Sequence, residues 1–190
     1  MENEEFLDIF RQTGALLEGH FVLTSGRHSS SYFQCAKVLQ YPKYLNLFSK
    51  IISDHFQILD INTVISPAVG GIVIGTRVGG ELVKKTIFAE REDGKMTLRR
   101  GFSISEGDKV LVVEDVITTG GSVKEVMETV EESGGEVVGV AVIVDRSNGK
   151  AILHDNQFSI VKLQVDSFDE NEVPDDLLVI PIEKPGSRSL

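Results

Sequence analysis

The stretch that decides the fold is residues 110–122, which reads VLVVEDVITTGGS. Its first four residues are apolar, as in a strand buried on both faces, and two acidic residues, Glu114 and Asp115, follow them. Hydroxyl and glycine residues come next, as TTGGS, and a helix is predicted over residues 121–132. Open parallel sheets bind ligands where such strands end. The stretch therefore predicts a ligand site at the carboxyl edge of a parallel sheet.

Apolar runs alternate with helix-compatible stretches through the middle of the chain. The runs are TVIS at 63–66, TIFA at 86–89, KVLVVE at 109–114 and VVGVAVIV at 137–144. The helix-compatible stretches are residues 71–84 and 121–132, and SGGE at 133–136 predicts the end of the second. This alternation predicts parallel strands with helices on both faces of the sheet. We therefore expect an α/β fold whose core sheet occupies residues 60–165.

Two amphipathic helices are predicted before the core sheet. One prediction rests on Phe6, Ile9, Phe10, Leu16 and Leu17, and the other on Leu45, Phe48, Ile51, Ile52 and Phe56 after Pro42. Between them, residues 21–34 alternate apolar and polar side chains around a Ser-Gly turn, which predicts a strand pair or an ordered loop. The charged stretch 91–101 interrupts the later strand–helix pattern, and a mobile loop or a hairpin is expected there.

Composition is typical of one globular domain, which we predict to span residues 1–190. Hydrophobic residues make up 41% of the chain and charged residues 25%. The net charge of -10 disfavours binding to nucleic acid or to an anionic membrane. Cys35 is the single cysteine, which excludes an intrachain disulfide and is typical of a reducing cytosol. The N-terminus is acidic and no apolar run is long enough to span a bilayer, so a cytoplasmic protein is expected.

The TTGGS loop has the chemistry of a phosphate site. Its glycines let the backbone turn and expose N–H groups, its hydroxyls add donors, and the following helix directs its N-terminus at the same point. The loop lacks the lysine of G-x-x-x-x-G-K-[ST] and the spacing G-x-G-x-x-G, which disfavours kinases and dinucleotide-binding proteins. Glu114 and Asp115 could hydrogen-bond the hydroxyls of a sugar whose phosphate is held there. Alternatively, the acids only cap a strand end and the glycines only shape a turn.

The whole run of strand, two acids, two aliphatic residues and TTGG resembles the phosphoribosyl-diphosphate signature of type I phosphoribosyltransferases. The resemblance implies a mostly parallel twisted sheet flanked by helices, with a small N-terminal hood over residues 1–42 and a flexible catalytic loop. It also implies that ISPAVGGIVIG, residues 65–75, receives the diphosphate, and that residues 91–101 form the catalytic loop. The residues implied to bind phosphoribosyl diphosphate are Glu114, Asp115, Val116, Ile117, Thr118, Thr119, Gly120, Gly121 and Ser122.

Residues 15–42, ALLEGHFVLTSGRHSSSYFQCAKVLQYP, resemble orotate phosphoribosyltransferases through the pattern GxFxLxSGxxSxxY. This resemblance implies transfer of ribose 5-phosphate from phosphoribosyl diphosphate to orotate, giving orotidine 5'-monophosphate and diphosphate in the synthesis of UMP. It implies Mg2+ as cofactor, held mainly through substrate oxygens without a dedicated ligand set. It also implies a homodimer with shared active sites.

The same resemblance implies how the base is bound. Arg146, in VDRSNG, would pair with the orotate carboxylate through two parallel hydrogen bonds, and Thr118 would lie beside the base. By itself, Arg146 could equally be a surface residue of a turn. Tyr32 and Phe33 match aromatic residues near the base site, although in isolation they would be core residues.

The chain departs from well-known bacterial members at two places. Thr24 stands where those members have a lysine, and the predicted catalytic loop has no histidine. Within that loop we expect Arg91 and Lys95 to bind diphosphate on closure and to act in catalysis together with Glu114 and Asp115. The remaining basic residues of the loop, Arg99 and Arg100, could instead be a solvated pair flanking a hairpin. For His20 and His28 a structural role is expected.

Two other functions fit part of the pattern. A type I phosphoribosyltransferase with a purine or xanthine acceptor would share the phosphate signature, but Arg146 suits an acidic pyrimidine better. A non-catalytic regulator that senses phosphoribosyl diphosphate and binds RNA or DNA would need a basic face, which the acidic composition disfavours.

Overall fold

The structure is a computed structural model that describes residues 3–23 and 26–184. Its helices are α1 (Asn3–Gln12), α2 (Ala36–Leu39), α3 (Pro42–Phe56), α4 (Gly70–Leu82), α5 (Gly121–Glu132) and α6 (Asp175–Leu178). Its strands are β1 (Leu16–Val22), β2 (His28–Phe33), β3 (Thr63–Pro67), β4 (Lys85–Glu92), β5 (Lys95–Leu98), β6 (Lys109–Ile117), β7 (Glu136–Asp145), β8 (Gln157–Lys162), β9 (Ser167–Phe168) and β10 (Ile182–Glu183).

The chain divides into two compact units. One, the sheet unit, is Leu39–Leu163, and the other, the terminal unit, combines Met1–Val38 with Gln164–Leu190. The single domain expected over residues 1–190 stays a prediction. In the described residues, no helix is long and apolar enough to cross a membrane.

The sheet unit is built on a six-stranded sheet in the order β5-β4-β3-β6-β7-β8. All neighbouring pairs are parallel except β4 and β5. The apolar residues of β6, Val110, Leu111, Val112 and Val113, have no exposed surface, which is why this strand reads as a continuous apolar run. The predicted mostly parallel α/β fold is confirmed.

Helices pack on both faces of this sheet because strand side chains alternate in direction. Ile65 and Val112 belong to the core cluster that includes Val126 of α5. Their neighbours Ser66 and Val113 instead face α4, where the positions of Gly71 and Gly75 bring the helix backbone close to the sheet.

The predicted helix ends follow local signals. α3 begins at Pro42, whose fixed φ suits the first helical turn. α5 has the predicted bounds and ends where Gly134 adopts a left-handed φ of +84° and the N–H of Gly135 donates to the carbonyl of Val130 at 3.0 Å.

The prediction of a helix that includes Leu16 and Leu17 is wrong. α1 ends at Gln12, and Gly14 takes a φ of +69° that turns the chain away from the helix. The two leucines belong to β1 instead. Leu16 and Leu17 follow Phe10 at a spacing close to helical periodicity, so the apolar pattern did not show that the helix ends before them.

The terminal unit contains a four-stranded sheet in the order β10-β1-β2-β9. β1 and β2 are antiparallel, so the strand pair, one of the two expectations for residues 21–34, is confirmed for β2. β1 begins earlier than predicted, at Leu16, and only Phe21 and Val22 of it lie in that range. Phe10 of α1 packs edge-on against Phe33 with ring centroids 5.0 Å apart, so the helix is held on this sheet by buried aromatic contact.

A β-hairpin occupies the charged stretch 91–101. β4 and β5 pair in antiparallel register from Ala89 and Leu98 to Glu92 and Lys95. The turn is Asp93-Gly94, with φ values of +50° and +84°, a pair of residues that favours such tight hairpin turns. Of the two expectations for this stretch, the hairpin is confirmed, and its mobility stays a prediction.

Truncating the core under α4 should destabilise the fold. Ile74 is fully buried, so Ile74→Ala is expected to lower the free energy of unfolding by about 2–5 kcal/mol, as for other large-to-small core changes. Ile58 is 86% exposed, and Ile58→Ala should change it by less than about 0.5 kcal/mol. Urea unfolding of both variants measures the difference, and equal effects would contradict the described packing of α4.

Candidate active site

The acidic pair lies at the carboxyl end of β6. Glu114 is 7% exposed and Asp115 is partly buried. The backbone N–H of Asp115 donates to Glu114 Oε1 at 3.0 Å, and the N–H of Val116 donates to Asp115 Oδ1 at 2.9 Å. Within the described residues, no lysine or arginine forms an ion pair with either carboxylate.

This arrangement disfavours ionisation of Glu114. Burial raises the pKa of the Glu114 carboxyl well above its ordinary value of 4.5, and the neighbouring charge of Asp115 raises it further. The hydrogen bond from the N–H of Asp115 acts in the opposite direction but is the smaller effect. Among the described residues, no cationic side chain pairs with either acid to offset this rise in the pKa of Glu114.

The start of α4, within the predicted diphosphate loop 65–75, lies against these carboxylates. A Cβ placed on Gly70 would come 2.7 Å from Asp115 Oδ2, and one on Gly71 would come 2.9 Å from Glu114 Oε1. Any side chain at either position would collide with the acidic pair. The two glycines therefore let the helix start and the carboxylates share one edge of the sheet.

The TTGGS residues form an open cradle at the N-terminus of α5. Gly120 is the N-cap residue and has a φ of +77°, which an L side chain rarely adopts. A Cβ there would also lie 2.7 Å from Leu153 Cδ2. No described side chain caps the helix, and its first turn has no acidic residue, so its N–H groups and the positive end of its dipole are available to an anion.

A cavity of about 260 Å3 lies over this cradle. It is lined by Arg91, Glu114, Val116, Ile117, Thr118, Thr119, Gly120, Gly121, Ser122, Val123 and Glu125. The structure thus brings one of the two acids, the whole hydroxyl–glycine loop and one predicted loop cation to the same space. Asp115 adjoins it through its neighbours in the chain.

The basic residues of the hairpin are not equivalent. Arg91 lines the cavity and forms an ion pair with Glu125 of α5 at 2.7 Å. Lys95 is exposed at the start of β5 and does not line it. The other two pair within the hairpin, Arg99 with Glu92 at 3.3 Å and Arg100 with Glu90 at 2.7 Å.

Arg146 follows β7 directly beside the end of β6. Its N–H donates to the carbonyl of Ile117 at 2.8 Å, and the residue is partly buried rather than a freely exposed turn residue. The turn after it is fixed by side chains. The buried carboxylate of Asp145 accepts from the N–H of Ser147 at 2.8 Å, and the hydroxyl of Ser147 accepts from the N–H of Ala151 at 3.0 Å.

The remaining candidates belong to the terminal unit. Phe33 is a core residue, whereas Tyr32 is partly buried, with its ring centroid 5.9 Å from that of Phe21. His20 and His28 are buried and contact each other, with His20 Nε2 2.6 Å from His28 Nδ1. Thr24 lies outside the described residues.

A second, larger cavity of about 530 Å3 lies in the terminal unit. Of the described residues that line it, Glu18, Asp166 and Asp176 are acidic and none is basic. Because carboxylates repel anions, this cavity does not suit a phosphate. In the described ranges there is no cluster of three or more His, Cys, Asp or Glu residues that could hold a metal ion by itself.

Sequence reasoning missed Glu125 and Asp145. Glu125 follows Gly121 by four residues, so it lies on the same face of α5, one turn beyond the cradle. That spacing could have predicted that Glu125 lies near the site. Asp145 precedes Arg146 at a strand end, where an acidic residue commonly fixes a turn.

Together these groups suit a phosphorylated sugar. The cradle offers N–H and hydroxyl donors to a phosphate, the acidic pair offers acceptors to sugar hydroxyls, and Arg146 lies at the next strand end along the same edge.

Comparison with known proteins agrees with this chemistry. Residues 37–177 match the phosphoribosyl transferase domain family. The chain is 60% identical to the orotate phosphoribosyltransferase of Chlorobaculum parvum and 57% identical to that of Chlorobium phaeobacteroides, in each case over 100% of this chain and 98% of the relative. The crystal structure of orotate phosphoribosyltransferase from Aeropyrum pernix is similar with a TM-score of 0.68 and 26% identity, over 82% of this chain and 92% of that chain.

Replacing the buried acid should change how stability depends on pH. Because the folded-state pKa of Glu114 is raised, this carboxyl binds more protons in the folded than in the unfolded protein at pH values above about 4.5, so its contribution to stability falls as pH rises through that window. Glu114→Gln removes this loss, so the variant should gain stability relative to the parent as pH increases from 4.5.

Urea unfolding between pH 4.5 and 8, without ligand, measures that gain. Glu132→Gln, on the exposed end of α5, is the control and should show a smaller pH-dependent change. A difference between Glu114→Gln and the parent that does not vary with pH would contradict the burial of a charged carboxyl at this position.

Proposed function

The chain belongs to the orotate phosphoribosyltransferase family, and we propose that the edge formed by β6, α5 and Arg146 is its active site. The enzyme is a pentosyltransferase that transfers ribose 5-phosphate from phosphoribosyl diphosphate to orotate, giving orotidine 5'-monophosphate and diphosphate in pyrimidine synthesis. The site assignment rests on one observation: the N-terminus of α5, which has no side-chain cap, directly follows two carboxylates that have no cationic partner in the described part of the chain.

The cradle would hold the 5-phosphate and so place the ribose over the acidic pair. Thr118, Thr119, Gly120, Gly121 and Ser122 supply donors, and the absence of acidic residues in the first turn of α5 leaves the helix dipole uncompensated. With the phosphate fixed there, the ribose hydroxyls can donate to Glu114 and Asp115. Such positioning lowers the entropy cost of bringing the reacting atoms together.

Bond cleavage would develop positive charge beside these carboxylates. The bond from ribose C1 to the diphosphate oxygen breaks and its electron pair leaves with diphosphate, while N1 of orotate forms the new bond to C1 and its proton is released. The ribose ring gains oxocarbenium character between these two events. Two carboxylates held on β6 stabilise that charge without reorganising, and the acidity of orotate N1 makes a strong general base unnecessary.

Arg146 would recognise the orotate carboxylate. Its position is set by the β6–β7 register, which pairs Ile117 with Asp145, and by the turn that Asp145 and Ser147 hold. A guanidinium can donate two parallel hydrogen bonds to a carboxylate, which a neutral purine base does not offer.

Mg2+ fits the chemistry of this edge. Oxygen ligands are those Mg2+ prefers, and the carboxylates of Glu114 and Asp115 have no cationic partner among the described residues. We propose that these two residues and substrate oxygens hold it, and that when bound it neutralises negative charge on the leaving diphosphate. The diphosphate itself would lie near the start of α4, where Gly70 and Gly71 leave room beside the acids.

We further propose that the enzyme is cytoplasmic and works as a homodimer with shared active sites. The acidic composition, the lone buried Cys35 and the family support these proposals. We also propose that Arg91 and Lys95 neutralise charge on the substrate phosphates. Arg91 lines the cavity over the cradle, whereas Lys95 does not.

The decisive assay follows the loss of orotate absorbance in the presence of phosphoribosyl diphosphate and Mg2+. The parent protein should consume orotate and release one diphosphate for each orotidine 5'-monophosphate formed. Omitting Mg2+ should lower the rate strongly. Turnover of hypoxanthine or xanthine without turnover of orotate would overturn the proposed acceptor.

Removing the Arg146 guanidinium should weaken orotate binding selectively. Arg146→Ala is expected to raise the KM for orotate by about ten- to hundredfold, the loss of a charge-assisted hydrogen-bonded pair worth roughly 1.5–3 kcal/mol. The KM for phosphoribosyl diphosphate should change much less. Lys150→Ala, an exposed cation in the same loop, is the control. An unchanged KM for orotate in Arg146→Ala would remove Arg146 from the base site.

A further inference from the structure

The phosphate cradle contains one cation that its signature motif does not include. Among the described residues that line the cavity over TTGGS, Arg91 is the only one with a positively charged side chain. It comes from the β4–β5 hairpin, more than twenty residues before the cradle in the chain. A dianionic phosphate entering this cavity therefore meets backbone N–H groups, hydroxyls and a guanidinium.

Glu125 holds that guanidinium on the helix that forms the cradle. Arg91 Nη2 donates to Glu125 Oε1 at 2.8 Å, and Arg91 Nη1 lies 2.7 Å from Glu125 Oε2. Arg91 Nη1 also donates to the carbonyl of Gly94 at 2.9 Å, which ties the side chain to its own hairpin turn. A guanidinium has five N–H donors, so these contacts leave others for a phosphate oxygen.

The remaining hairpin cations are held elsewhere. Arg99 and Arg100 pair with Glu92 and Glu90 of β4, and Lys95 does not line the cavity. Arg91 is thus distinguished from its neighbours by a partner on α5, the helix whose N-terminus forms the cradle. It lines the cavity over that cradle, whereas Gly70 and Gly71 of the predicted diphosphate loop do not.

From this arrangement we propose that Arg91 is a ligand of the ribose 5-phosphate group, rather than of the diphosphate, and that Glu125 is a positioning residue that acts through Arg91. The inference rests on the proposed function, because it takes a phosphorylated ribose as the occupant of the cradle. It revises the role that the resemblance of the hairpin to a catalytic loop implies for Arg91.

The test distinguishes the 5-phosphate site from the diphosphate site by using two ligands, each of which carries only one of these two groups. Ribose 5-phosphate and inorganic diphosphate are titrated separately into the parent and into Arg91→Ala by calorimetry, in the presence of Mg2+. Arg91→Ala should raise the Kd for ribose 5-phosphate by roughly ten- to hundredfold and leave the Kd for diphosphate within about twofold. The reverse pattern, or equal loss of both ligands, overturns the assignment.

Arg77 offers a matched control. It pairs with Glu81 on α4 at 2.6 Å, and the side-chain exposures of that pair, 39% and 27%, are close to the 47% and 35% of Arg91 and Glu125. Arg77 does not line the cradle. Arg77→Ala should therefore leave the Kd for ribose 5-phosphate unchanged, and a loss equal to that in Arg91→Ala would show a general charge effect and overturn the assignment.

The role of Glu125 is tested by a double-mutant cycle. Glu125→Ala should weaken ribose 5-phosphate binding severalfold, Glu125→Gln should restore part of it because the amide oxygen still accepts from Arg91, and neither change should add to the effect of Arg91→Ala. Tighter binding in Glu125→Ala would show that Glu125 only repels the phosphate. Additive effects would show that it does not act through Arg91.

Orotate turnover by the parent is measured on the same preparation. An inactive parent contradicts the proposed function. An active parent whose Arg91→Ala variant loses diphosphate rather than ribose 5-phosphate contradicts only the inference.

Discussion

A buried carboxylate with no cationic partner among residues 3–23 and 26–184 is the feature around which the sheet unit is arranged. Glu114 lies at the end of a strand with parallel neighbours on both sides, β3 and β7, and the start of α4 at Gly71 lies against its carboxylate, so little of the residue is exposed. Burying such a charge costs free energy, and here the cost appears as a raised pKa. A protein retains a destabilising charge of this kind where a ligand supplies what the folded chain lacks.

The surrounding backbone is shaped to keep that edge open. Gly70 and Gly71 bring α4 against the acids without side chains, and Gly120 begins α5 in a left-handed conformation beneath Leu153. One short segment of chain thus presents acceptors at a strand end and donors at a helix start. A phosphorylated ribose has the complementary order, with hydroxyls to donate and a phosphate to accept, which is why its two ends can be recognised by consecutive residues of one strand–loop–helix unit.

Much of this site could be predicted because its information is local in the sequence. The apolar run of β6, the two acids and the TTGGS loop are consecutive, and α5 has a glycine or serine signal at each end, so its bounds match the prediction. β8 was not predicted because its six residues, QFSIVK, mix polar and apolar side chains at the edge of the sheet. The helix assigned across Leu16 and Leu17 failed because a single residue, Gly14, outweighed apparent periodicity.

The placement of the basic residues could not be predicted, because it depends on partners far along the chain. Arg91 and Glu125 are 34 residues apart in the chain, and only the folded structure brings the two side chains into contact. The chain has a net charge of -10, and Arg91, Arg99 and Arg100 each form an ion pair with a different carboxylate. The position of that carboxylate determines the direction of each arginine side chain. Exposed pairs of this kind contribute little stability, about 0–1 kcal/mol, so their effect is to fix where each cation lies rather than to stabilise the fold. Because a guanidinium has five N–H donors, an acidic enzyme can keep an arginine ordered by a carboxylate before substrate arrives and still offer the substrate free donors.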